Sequence, residues 1–208
     1  QQLAYDRLKN LIISNTLKPD TLIAERKICA SLNISRTPVR EALRRLASEG
    51  FVEIIPEKGA FVSHIRLEDI IEIFELREVL ESLAIRLFIF RATDEMVEKL
   101  EECFNAQLNA FTEGKNSQAM EIDMEFHKVF IMGSKNRKLK DFLNTILDQA
   151  ARIAISRADD TELIKTSIEE HRNILKAVKE KNSALAEQLV RNHFVRVREH
   201  YLSKYYLS

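Results

Sequence analysis

The residues best placed to do chemistry are three histidines and a carboxylate. Asp123 and His127 stand four apart, so a helix presents both on one face, together with Met120, Met124 and Ile131. His171 lies between Ile168, Ile174, Leu175 and Val178, and His193 among Ala186, Val190 and Val197. Each histidine takes a position where the apolar stripe calls for a hydrophobic side chain. One such histidine is ordinarily a hydrogen-bonded core residue. Three of them with an inward carboxylate, on three different helices, offer nitrogen and oxygen donors suited to a divalent metal: Zn²⁺ first, with Ni²⁺ or Mn²⁺ also accepted. Unless they converge, each is a buried polar group that needs its own partner. His64 and His200 lack this setting and are not expected to be ligands.

Arg77 is seven residues from both Ile70 and Ala84 and so shares the apolar stripe of its helix. A buried guanidinium needs an anion. That anion is either internal, from Glu78 or Glu81, or the carboxylate of a ligand.

A third group is basic. Arg36, Arg40 and Arg44 are spaced by four and stack along one side of a helix whose other face is Val39, Ala42, Leu43, Leu46 and Ala47. The planar guanidinium fork suits guanine edges and phosphates, and Ser35 and Thr37 add donors at the helix start.

The elements that position these groups follow from the punctuation. The chain has 208 residues, with only four glycines and three prolines, which excludes turn-rich and disordered classes. All three prolines and two glycines fall within the first 59 residues, so short elements come first and long helices follow. In the head, Leu3, Leu8, Leu11 and Ile12 mark one helix, and Glu25–Leu32 fits a second with Ile28 and Leu32 inward. After the turn Asn33-Ile34-Ser35, Thr37 and Pro38 read as N-cap and first residue of a third helix, ended by Gly50. Phe51–Ile55 and Ala60–Ser63, joined through Pro56-Glu57-Lys58-Gly59, read as a β-hairpin. The expected architecture is mainly α, a winged helix-turn-helix over residues 1–65 and an antiparallel all-α bundle over 66–208. The bundle helices are expected near 67–91, 94–113, 116–133, 136–157, 160–180 and 182–206.

The 32 basic residues balance the 32 acidic ones, yet residues 1–65 carry ten Lys/Arg against seven Asp/Glu. This basic head permits DNA binding. No run approaches the roughly 18 apolar residues of a membrane span, and Cys29 and Cys103 make no disulfide framework, so a cytoplasmic location is expected.

Several strings resemble the GntR family of transcription regulators: Ala24-Glu25-Arg26, the run from Leu32 to Leu46 containing Ser35-Arg36-Thr37-Pro38-Val39-Arg40-Glu41-Ala42-Leu43, then Glu49-Gly50-Phe51-Val52 and Lys58-Gly59-Ala60-Phe61-Val62. The resemblance implies that the head grips operator DNA as a dimer through Arg26, Ser35, Arg36, Thr37, Arg40 and the wing tip Lys58-Gly59, with Arg44 on the same face. Leu76–Glu81, Asp123–His127, Glu170–Val178 and Arg191-Asn192-His193 resemble the FCD ligand-binding domain of the FadR subfamily. That implies a metal on Asp123, His127, His171 and His193 and a small organic-acid effector at its open positions; Arg77, read from its place on the apolar stripe, is the expected second contact for that effector. Asn182 stands where a Gly-Asp link is common before the last helix, a change of cap only.

The reading is a metabolite-responsive regulator, most often a repressor in this family, acting as a homodimer because one recognition helix covers only half of a useful site. A metal-dependent hydrolase is the enzyme alternative, against which no Glu or His is placed by sequence as a general base. A third option makes the metal purely structural, or itself the signal.

Overall fold

The computed structural model describes residues 1–206, with nine α-helices and one hairpin among them. The chain forms two compact units, Gln1–Arg66 and Leu67 onward.

The first unit comprises α1 (Gln2–Ile13), α2 (Glu25–Leu32), α3 (Arg36–Ser48), β1 (Val52–Ile55) and β2 (Gly59–Val62). Its core is built from Leu8 and Ile12 of α1, Val39, Leu43 and Leu46 of α3, and Phe51. Leu3 is exposed, and Ala4 and Tyr5 take the inner face of α1 instead. Ile28 and Leu32 of α2 are only partly buried against this core. The hairpin pairs Val52 with Val62 and Ile55 with Gly59, and Leu22 bridges to Phe61 on its outer edge. Gly59 has φ +112°, and a Cβ there would sit 3.1 Å from Leu22 Cδ1, so the wing tip needs glycine. The N-cap of α3 is Ser35, not Thr37, which places Pro38 third in the helix. The proline is tolerated there because the first four helical N–H groups have no intrahelical acceptor in any case.

The second unit contains α4 (Leu67–Arg91), α5 (Asp94–Thr112), α6 (Asn116–Gly133), α7 (Arg137–Ile155), α8 (Thr161–Lys179) and α9 (Ser183–Tyr206). Three starts are capped by side chains: Asn136 accepts from Leu139 N, Asp160 from Leu163 N and Asn182 from Leu185 N. The departure at Asn182 therefore replaces one cap with another. α4 packs against α6, α7 and α9, and α8 against α5, α6 and α9. Phe88, Phe126, Phe130 and Phe194 fill the centre. α6 ends on Gly133, where a Cβ would lie 2.5 Å from the Phe88 ring, so the last turn of α6 rests directly on α4.

Candidate metal centre and nucleic-acid interface

The bundle brings His127 of α6, His171 of α8 and His193 of α9 together. One ring nitrogen from each lies within 4.8 Å of the other two, and all three rings are buried. Phe126 stacks on His171 with centroids 4.3 Å apart, fixing the plane of that ring.

Each imidazole is held by an acceptor on its Nδ1. His127 Nδ1 is 2.6 Å from Glu81 Oε2, His171 Nδ1 is 2.8 Å from Gln107 Oε1, and His193 Nδ1 is 2.7 Å from Glu170 Oε2. Carboxylates and the Gln107 carbonyl only accept, so all three Nδ1 atoms carry the proton. A ring that carries its single proton on Nδ1 presents a bare Nε2 lone pair. Two of these, on His127 and His171, face each other at 3.2 Å, a repulsive arrangement unless a proton or a cation lies between them. The donor set and its outer partners thus have the chemistry of a metal site.

Burial and neighbouring charges lower two of the three rings. Burial, reinforced by the neighbouring His127 and His193, drives His171 well below the usual imidazole range. Burial lowers His193 as well, against the opposing pull of Glu170. Burial alone would raise the Glu81 carboxyl, but Arg77 and His127 outweigh it and bring Glu81 down to about 2. Glu170 is likewise lowered: its burial is outweighed by hydrogen bonds from His193 and Arg196.

Asp123 is close but outside the tight histidine group. Its Oδ2 is 3.9 Å from His127 Nε2, and its Oδ1 is 3.7 Å from His171 Nε2 while accepting from Gln107 Nε2 at 2.9 Å. Arg77 is buried and its ion pair is with Glu81, Nε to Oε1 at 2.6 Å. Glu78 turns to Arg191 and Arg198 of α9 instead. Arg77 Nη2 remains buried without a hydrogen-bond partner, one of two such side-chain atoms among the described residues. Arg77 lines a cavity of about 20 Å³ together with Asp123, Ser167, His193 and Tyr201. His64 is exposed and His200 bonds Asp160 at 2.7 Å, so neither joins the cluster.

In the first unit, Arg26, Ser35, Arg36, Thr37, Arg40, Arg44, Lys58 and Gly59 are all exposed. α3 and the wing border a groove of about 230 Å³ lined in part by Arg40, Arg44, Ile54 and Gly59. Arg40 Nε pairs with Glu25 Oε2 at 3.0 Å, while more than half of the Arg40 side chain stays in solvent. No capping bond engages the Ser35 side chain, which leaves its hydroxyl available.

The model for bacterial regulatory proteins of the gntR family matches residues 1–62, and the model for the FCD domain matches residues 72–196. The chain belongs to the GntR family and carries an FCD domain. It is 32% identical over 197 residues to the uncharacterized HTH-type transcriptional regulator YdhC of Bacillus subtilis, covering 94% of this chain and 88% of that one. It is 33% identical over 164 residues to the Nta operon transcriptional regulator of Aminobacter aminovorans, covering 79% and 76%. Among solved structures, a GntR regulator from Rhodococcus sp. RHA1 superposes with a TM-score of 0.87 at 21% identity, covering 97% of each chain, and shares the fold.

A GntR head implies DNA binding, and the family and relatives are regulators of transcription, not enzymes; the hydrolase alternative is set aside on that ground. No helix among the described residues is long and apolar enough to cross a membrane. The sequence reading missed the three groups that orient the imidazoles. Gln107 carried a usable signal, since it interrupts the stripe of Leu100, Phe104 and Ala110 much as the histidines interrupt theirs. Glu81 also lies on an apolar stripe, four residues beyond Arg77. Glu170 gave none, because it precedes His171 in sequence yet serves His193.

Proposed function

We propose that this GntR regulator binds operator DNA as a homodimer, most simply as a repressor, and that its FCD unit holds a divalent metal and a small carboxylate effector that alters operator affinity. The observation that carries the metal reading is that one ring nitrogen of each of three buried imidazoles lies within 4.8 Å of the other two, while each Nδ1 faces its own acceptor. His127, His171 and His193 would supply nitrogen and Asp123 oxygen. A divalent ion, Zn²⁺ best, with Ni²⁺ or Mn²⁺ also suited to these donors, supplies a positive centre that attracts one carboxylate oxygen.

The chain's own residues define the rest of the effector site. Arg77 lines the cavity and has a buried Nη2 with no hydrogen-bond partner, which would serve as the donor to the effector. Ser167 Oγ accepts from Arg196, which leaves its own proton to donate. The cavity of about 20 Å³ holds roughly one water, so an effector larger than its carboxylate must part the surrounding helices. An effector that binds the parted arrangement better shifts the population, a coupling typically worth about 1–3 kcal/mol. In the head, Arg36, Arg40 and Arg44 would face the major groove, with Arg26, Ser35, Thr37, Lys58 and Gly59 on phosphates.

The test is metal analysis by mass spectrometry beside titration of operator binding with small carboxylates. His171→Ala and His193→Ala should lose the metal and the effector response while the head still binds DNA. Wild-type protein that takes up no divalent ion would end the metal reading. Loss of metal with the response intact would make the site structural.

A further inference from the structure

The groove between α3 and the wing holds an acid on a face meant for a polyanion. Glu25 is the first residue of α2 and lines that groove of about 230 Å³ beside Arg40, Arg44, Ile54 and Gly59. Its Oε2 accepts from Arg40 Nε at 3.0 Å, and 29% of its side chain is exposed against 58% for Arg40. Arg26, Arg36, Arg44 and Lys58, the other basic side chains placed on DNA, have no such tie among the described residues. A carboxylate beside the path of a phosphate backbone works against binding at every sequence. Its effect must then lie elsewhere, in the pose of one guanidinium. We propose that Glu25 is a specificity-determining residue of operator recognition: it holds Arg40 by Nε, so that Arg40 offers DNA only the two-pronged end formed by Nη1 and Nη2.

The chemistry of the pair decides which base is read. A guanidinium has one donor on Nε and four on its two Nη atoms. Capture of Nε removes the side-on approach and leaves the end-on fork, whose parallel N–H bonds match the two acceptors of guanine, O6 and N7. Adenine presents N7 beside an amino donor, so one prong would meet a donor. An untied arginine has a flexible stem and phosphates within reach, and a phosphate contact carries no sequence information. Glu25 opposes that contact in two ways. It fixes the stem, and its charge repels the phosphate that a swung-out Arg40 would approach. Specificity commonly comes from such an element, which penalises the wrong contact while it supports the right one. Both residues stand on helices, Glu25 in the first turn of α2 and Arg40 in the second turn of α3, so the backbone holds the pair in register.

This assignment rests on Arg40 as a base-reading residue, and the experiment separates the two. Selection from a random-sequence duplex library defines the site that the wild-type protein binds, and the guanine whose preference disappears in Arg40→Ala is the one Arg40 reads. Fluorescence anisotropy across a salt series then compares three duplexes: the selected one, the same with adenine in place of that guanine, and a shuffled one. Glu25→Ala should lose about 10-fold or more of the guanine preference, the range of one bidentate contact. It should also bind the shuffled duplex more tightly and steepen the salt slope by about one per head, as Arg40 moves to a phosphate. Glu25→Gln keeps an oxygen acceptor without the charge, so it should keep the guanine preference and the slope while binding the shuffled duplex more tightly. In an Arg40→Ala background, Glu25→Ala should change neither base preference nor slope. No loss of preference in Arg40→Ala overturns the base-reading role of Arg40 and this assignment with it. Full preference in Glu25→Ala, with Arg40→Ala impaired, overturns the role of Glu25 alone. Equal weakening of all three duplexes by Glu25→Ala also overturns it, because that marks a residue needed for the head as a whole.

Discussion

Replacing Glu81 by Gln tests the electrostatic argument at its centre. Glu81 is fully buried, accepting from Arg77 Nε through one oxygen and from His127 Nδ1 through the other. Glutamine keeps the shape but offers one acceptor and two donors. Either Arg77 or His127 must then face an NH₂ group. If it is His127, the ring moves its proton to Nε2 and loses the lone pair a metal would use. Glu81 sits at about 2 against an ordinary 4.5, a difference equivalent to about 3 kcal/mol of folded-state stabilisation. Removal of one partner of a buried ion pair is commonly worth about 3–5 kcal/mol, which agrees. The folded-state value is depressed, so this stabilisation is present above pH 4.5 and is lost as pH falls through about 2. Urea unfolding of metal-free protein, followed by far-UV circular dichroism because the chain has no tryptophan, should show Glu81→Gln less stable by about 3 kcal/mol at pH 7. The gap should narrow below pH 4.5. Metal affinity should drop about 10–100-fold, as for other groups that orient a ligand. A variant within about 0.5 kcal/mol of wild type at pH 7, the scatter of ordinary surface substitutions, would refute the reasoning.

Arg40→Ala should weaken operator binding by about 1–3 kcal/mol and relax base preference, whereas Lys58→Ala should weaken all sequences alike and reduce the salt slope by about one; fluorescence anisotropy across a salt series distinguishes them. Burial lowers His171 below the ordinary imidazole value of 6.5, so that ring stays neutral and able to coordinate below that pH. Equilibrium dialysis should accordingly find half-release of metal below pH 6.5, and release centred above it would contradict the lowering of His171 by burial. Gly133→Ala drives a methyl into the Phe88 ring at 2.5 Å and should destabilise the second unit by about 1–3 kcal/mol in the same urea assay. Arg77→Ala should reduce metal affinity as well as effector response, because Glu81 loses its partner; metal analysis of that variant shows whether the two effects separate.

Much of the architecture was legible because it is local. Scarce glycine and proline after residue 59 and apolar spacing at three and four set the bundle helices to within about two residues. The start of α3 was misplaced by two because Ser35 and Thr37 both suit an N-cap, and the choice between them belongs to the preceding turn, where Asn33 takes a left-handed φ of 52°. The histidines showed themselves one helix at a time, as polar residues on apolar stripes. Their meeting could not be read that way, since residues 127, 171 and 193 are joined only by the way α6, α8 and α9 pack. The partners of charged groups were the least legible. Glu78 and Glu81 both neighbour Arg77 in sequence, but Glu81, four residues on, shares its buried face while Glu78 turns toward α9. Which nitrogen of each imidazole carries a proton depends on Glu81, Gln107 and Glu170, and two of these acceptors lie far in sequence from the ring they orient. Periodicity, which acts within a few residues, thus determined the helices and the faces they bury. The tertiary structure decided which buried polar groups share a site, because hydrogen bonds and charge pairs depend on distance in space and carry no sequence period.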